Sequence, residues 1–164
     1  MGEWRVAEPD RRELHDVPVI GWVEHVDLPD WSIVRLRAKS DTGARSSALH
    51  VDNIELLSRN WVRFEVIVSL DRRSQRVPVE TRVIRRSRVR SSSGHFTRRL
   101  FVRTRVRVGG VEREIELSLV DREKMIHRML LGRSALEGML VDARHRYLLT
   151  AKRRPRVKRR IVRP

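Results

Sequence analysis

The chain has 164 residues, a length that favours one domain and argues against a two-lobed enzyme with its site between two cores. Lys and Arg number 37 against 21 Asp and Glu, and the resulting net charge of +16 points to a polyanionic partner or an acidic substrate. A hydrophobic content of 40% excludes general disorder, and the absence of cysteine excludes disulfides, thiol nucleophiles and cysteine-ligated metal centres.

Residues 1–16 mix acids and bases without an apolar stretch, so they read as a polar lead-in and not as a secretory signal. No uncharged run approaches the roughly 18 to 20 residues of a spanning helix, so the expected location is the cytoplasm, away from membrane. From there the pattern is strand-like, with β-branched and apolar residues alternating with charges at period two. It predicts strands over 31–38 (WSIVRLRA), running into Asp41, over 61–70 (WVRFEVIVSL) and over 77–84 (VPVETRVI). Residues 100–108 (LFVRTRVRV) reach Gly109-Gly110, and 111–120 (VEREIELSLV) answer them with Ile115, Leu117 and Leu119 on one face, which predicts a hairpin. Met129-Leu130-Leu131 reads as a short apolar strand stopped by Gly132, residues 133–139 as one short helix, and residues 147–149 as a closing strand. Many short strands with a single helix indicate a small all-β barrel or sandwich. Residues 152–164 (KRRPRVKRRIVRP) hold eight Lys and Arg and no acid, so they supply half of the net charge and read as a disordered tail able to contact phosphates of RNA or the ribosome. The folded domain is accordingly placed at 17–151.

Asp41-Thr42-Gly43-Ala44 stands immediately after a predicted strand. A strand end delivers a carboxylate to a fixed spot, Gly43 permits a tight turn, and Thr42 offers a hydroxyl. By itself the tripeptide fits an Asx turn equally well. Its combination with Leu131-Gly132-Arg133 before a helix resembles the retropepsin-like aspartic peptidases, in which a second apolar-apolar-Gly segment packs under the catalytic loop.

A closer resemblance runs from about residue 21 to 149. Gly21-Trp22, Ala38 through His50, Ser91-Ser92-Ser93-Gly94-His95 with Arg98-Arg99, and Met129 through Arg133 with Leu140-Val141-Asp142 are similar to a bacterial and archaeal family labelled "ATP-dependent zinc protease". That family is retropepsin-like in fold, and some members stand beside ATP-grasp ligases that add glutamates to ribosomal protein S6. Ser46, where Thr is usual, and Val51, where a small residue is usual, depart from its pattern outside the Asp-Thr-Gly motif. The resemblance implies a closed retropepsin-like β-barrel with one short C-terminal helix. It implies Asp41 as the catalytic residue, supported by Thr42, Gly43, Ala44, Leu131 and Gly132. Ser91–His95 would then be a flap, the alternative being a plain surface loop, with Ser93, Gly94 and His95 near substrate. Arg45, His50 and Arg133 would suit a carboxylate-rich peptide, although Arg133 could equally make a structural ion pair with Asp142 or Asp121.

The zinc and ATP of that label find no support in the residues. His15, His25, His50, His95, His127 and His145 are scattered, with no His-Glu-x-x-His, and no phosphate loop of the Gly-x-x-x-x-Gly-Lys type exists, so neither a metal nor another cofactor is expected. An aspartic peptidase needs two carboxylates sharing a proton, yet the chain holds a single Asp-Thr-Gly. The peptidase reading therefore predicts a homodimer with one Asp41 from each subunit. The alternative is a catalytically silent basic module that binds RNA or ribosomes on the same scaffold.

Overall fold

The computed structural model describes residues 17–68, 75–90, 96–120 and 126–150. The lead-in, the Ser91–His95 segment and the basic tail therefore lie outside the described residues.

Among the described residues ten strands and one short helix follow one another: β1 (Val19–Gly21), β2 (Val23–Leu28), β3 (Ile33–Ser40), β4 (Ser47–Ser58), β5 (Trp61–Ile67), β6 (Arg76–Arg90), β7 (Phe96–Val108), β8 (Val111–Val120), β9 (Met129–Leu131), α1 (Arg133–Leu136) and β10 (Leu140–Asp142). β1 and β10 form a small parallel pair, and the remaining eight strands share one sheet in the order β2-β3-β9-β4-β5-β6-β7-β8. That sheet closes on itself, because β4 also runs parallel to β8 and Asp27 of β2 lies opposite Arg107 of β7. Closure leaves few free strand edges and encloses a core of Val26, Leu36, Leu49, Phe64, Leu117 and Met129, among others, each almost fully buried.

The β7–β8 hairpin forms where alternation and Gly109-Gly110 predict it. Leu100, Val102 and Thr104 face Leu119, Leu117 and Ile115 on the core side, while Arg103, Arg105 and Arg107 face Glu116, Glu114 and Glu112 on the outer side. Gly109 has φ +58°, the left-handed turn conformation that favours glycine, and Leu149 lies 3.1 Å from where its Cβ would stand. β8 has the predicted bounds, whereas β6 and β7 extend further as a long hairpin, paired as far as Arg90 opposite Phe96.

Three expectations need correction. The 31–38 strand begins only at Ile33, because Pro29–Trp31 form a 3-10 turn that ends at Ser32 in the left-handed region. The helix stops at Leu136, with Gly138 at φ +71° beyond it. Residues 147–149 are not a strand: Tyr147 has φ 60°, a value that ends extended backbone, and the next three amides turn toward one side chain.

That side chain is Glu24, 1% exposed on β2. Its Oε1 accepts from the amides of Gly21 (2.9 Å), Leu148 (2.7 Å) and Leu149 (3.1 Å). Its Oε2 accepts from the Thr150 amide (3.1 Å) and, in a very short contact, the Thr150 hydroxyl. A buried carboxylate is tolerated here because hydrogen-bond donors replace its lost hydration. Glu24→Ala leaves four amides without that acceptor, so we expect a loss of about 3 kcal/mol or more in chemical denaturation. Faster hydrogen exchange at Leu148 and Leu149 would accompany it; unchanged exchange there would show that the segment is held by other contacts.

Candidate active site

β3 runs parallel to β9, with Ser40 opposite Leu131, and the Asp41 amide donates to the Leu131 carbonyl at 2.8 Å. The chain then turns sharply. Oδ1 of Asp41 accepts from the amides of Gly43 (3.1 Å) and Ala44 (3.3 Å), so one carboxylate oxygen fixes the turn while the side chain stays half-buried at its surface. The Asx turn and the strand-end carboxylate are therefore one feature.

A second turn locks onto the first. The amides of Arg133 and Ser134 donate to the carbonyls of Ala44 (2.8 Å) and Arg45 (3.1 Å), and the Ser134 hydroxyl adds a bond to Arg45 at 2.9 Å. The Gly132 amide donates to the buried Ser47 hydroxyl at 3.1 Å. Gly132 is confined by contact, not by torsion: a Cβ there would stand 2.5 Å from the Ser46 carbonyl and 2.7 Å from that of Arg45. Leu131, 1% exposed, fills the core beneath.

The other predicted residues are distributed as follows. The Arg133 guanidinium donates to the carbonyls of Thr42 (3.2 Å) and Gly43 (2.9 Å), bracing the Asp41 turn and pairing with no carboxylate among the described residues. Asp142 instead holds His145 at 2.7 Å, and that bond, with the Arg144 amide, keeps its carboxyl below the usual carboxylate range. His50 is fully buried on β4, its Nε2 3.4 Å from Asp52. Arg45 is exposed and lines a cavity of about 640 Å³ with Arg85, Arg103, Glu114, Glu116 and Ser134. Arg85 and Arg103 pair there with Glu116 (2.9 Å) and Glu114 (3.5 Å), and Arg85 stacks over Phe101 at 3.6 Å. Ser93, Gly94 and His95 lie outside the described residues.

Sequence reasoning missed Ser47 and Ser134, which tie the two turns together. The available signal was small hydroxyl residues flanking both glycine turns. A zinc site does not fit the residues at His50 and Asp52: the second Asp52 oxygen is taken by Arg76 at 2.8 Å, and the described residues contain no cluster of three metal-ligating side chains. Among the described residues no helix is long and apolar enough to cross a membrane.

A closed β-sheet with a strand-end Asp-Thr-Gly turn braced by a hydrophobic-Gly-Arg turn defines a retropepsin-like protein. The chain belongs to the RimB-like family, described as the retropepsin-like aspartic endopeptidase RimB, whose model matches residues 19–152. It is 34% identical over 135 residues to a probable alpha-L-glutamate ligase of Shewanella halifaxensis, covering 80% of this chain and 30% of that protein. A protein of the same name from Parasynechococcus marenigrum is 36% identical over 128 residues, 76% of this chain and 28% of its own length. The chain thus spans less than a third of these curated relatives. A crystal structure of a Legionella pneumophila protein of unknown function superposes with a TM-score of 0.67 at 26% identity, covering 80% of this chain and 98% of that one.

Because backbone lies where a Gly132 side chain would go, Gly132→Ala must force the turns apart. The expected cost is about 3 kcal/mol, the upper range for overpacking, or roughly 6 to 12 °C in melting temperature. A melting temperature equal to wild type would show that the turns yield freely.

Proposed function

We propose that the protein is an aspartic endopeptidase that acts as a homodimer on acidic, glutamate-rich peptides. The observation that carries this reading is the single Asp41 turn, held at two amides and braced by Gly132 and Arg133; on this reading each chain supplies half of an aspartic catalytic pair. Two such carboxylates brought together cannot both ionise, so they share one proton. The ionised Asp41 takes a proton from water as the oxygen attacks the peptide carbonyl, and the protonated Asp41 donates to the carbonyl oxygen. Collapse of the tetrahedral intermediate breaks the C–N bond, and the leaving amine takes up a proton from the pair.

Arg45 on the lining of the neighbouring cavity, together with the net positive charge, supports an acidic substrate. So does the kinship with proteins named as glutamate ligases, whose products would carry added glutamates. Within the cavity Glu114 and Glu116 balance Arg103 and Arg85, so selection of carboxylates rests on Arg45.

Incubation with poly-α-glutamate and with neutral peptides, followed by mass spectrometry, tests this directly. Cleavage should favour the acidic peptide, survive a chelator, and fall by roughly 10³-fold or more in Asp41→Asn, the scale lost when a group acting on the reacting atoms is removed. Equal cleavage by Asp41→Asn would overturn the assignment. Salt-sensitive RNA retention without cleavage by either form would favour the basic binding module.

A further inference from the structure

The arginines of this protein fall into two populations. On the β5–β8 side several are neutralised: Arg63 pairs with Glu55 and Glu80, Arg76 with Asp52 and Glu65, and Arg105 and Arg107 with Glu112. The outer face of β2, β3 and β9 is different. Arg37, Lys39, Arg128 and Arg146 make no ion pair among the described residues.

These side chains are neighbours. Arg37 lies opposite His25 across β2 and β3, and Lys39 stands two residues further along the same face. Ala38 pairs with Met129, so the register continued by one residue sets Arg128 beside Arg37. His127 feels both Arg37 and Lys39: burial first, then those two charges, push its pKa below the ordinary histidine value. Buried nitrogens on Arg37, Arg128, His25 and His127 have no hydrogen-bond partner among the described residues. Clustered cationic donors that are partly dehydrated and lack acceptors are costly, and an anion bound across them would offset that cost.

Aromatic rings border the same face. Trp22 meets His127 edge-on at 5.9 Å and has the Arg146 guanidinium 5.7 Å from its ring centre, while Tyr147 stacks on His25 at 4.7 Å. Planar rings interleaved with unneutralised cations suit nucleobases on a phosphodiester backbone; a glutamate chain has no group to stack. The His25 amide donates to the Thr150 hydroxyl at 3.0 Å, so Thr150 lies beside this face.

We propose that the outer β2–β3–β9 face binds single-stranded nucleic acid, with Arg37, Lys39, Arg128 and Arg146 on phosphates and Trp22 and Tyr147 against bases. The proposal does not depend on catalysis by Asp41.

Fluorescence anisotropy with a labelled single-stranded RNA of about 12 nucleotides, within the span such surfaces cover, tests it in the full chain carrying Asp41→Asn. Two charge-matched double variants are compared, each first shown to melt as its parent does. Lys39→Ala with Arg146→Ala should weaken binding about tenfold and lower the slope of log K against log salt by roughly 1.4, two phosphate contacts' worth. Arg63→Ala with Arg76→Ala removes the same charge from paired positions and should change binding less than about twofold. Trp22→Leu should cost a further fivefold or so through lost stacking. Equal weakening by both double variants, no RNA binding by the parent, or equal competition by poly-α-glutamate of matched charge would each overturn the proposal.

Discussion

The backbone of Gly132 lies against the carbonyls of Arg45 and Ser46, closer than any side chain would allow, and the rest of the molecule is arranged around that contact. It fixes where β9 enters, parallel to β3 and antiparallel to β4, and so joins the two parts of the sheet on either side of the Asp41 turn. Most hydrogen bonds crossing between the turns run from the Gly132 side to carbonyls on the Asp41 side, and the Asp41 amide donates back to the Leu131 carbonyl. Such bonds hold geometry without occupying the second oxygen of the Asp41 carboxylate. A reactive carboxylate needs that combination of rigid support and a free acceptor.

Charge is arranged with comparable economy. On the long hairpins several outward arginines find a glutamate or aspartate across the strand, which lessens repulsion within a highly charged sheet. At Asp30 the Arg105 amide is the chief cause holding the carboxyl below its ordinary range, so its modest stabilising effect is present above the unfolded carboxylate pKa and fades as pH falls through the lowered value. Glu24 carries no such cross-strand partner; it gathers residues 148–150 onto β2 and thereby sets the position of Tyr147 over His25. The interior acid and the cationic outer face are thus linked through one short segment.

Much of this was readable from the amino acids because it is local. Alternation with Gly109-Gly110 defines the β7–β8 hairpin, and Asp41-Thr42-Gly43 defines its own turn through Asx hydrogen bonds. What was illegible depends on distant partners. Tyr147-Leu148-Leu149 has the composition of a strand, but a buried carboxylate more than a hundred residues away takes the Leu148 and Leu149 amides. Arg133 looks like a substrate ligand until the Thr42 and Gly43 carbonyls are found beside it. His50 looks available in sequence and is wholly inside, because β4 is covered by β8, β9 and β5 along its first residues. The split between paired and unpaired arginines needs register, which composition does not carry.

The central claim is that each active site is built from two chains, and subunit mixing tests it most directly. Wild type and Asp41→Asn would be co-refolded at fixed total protein, and peptidase activity followed as the wild-type fraction falls. If both Asp41 carboxylates are required, activity follows the square of that fraction, so an equal mixture retains about a quarter of full activity. A linear decline, with about half retained in the equal mixture, would mean that one Asp41 suffices and would contradict the account.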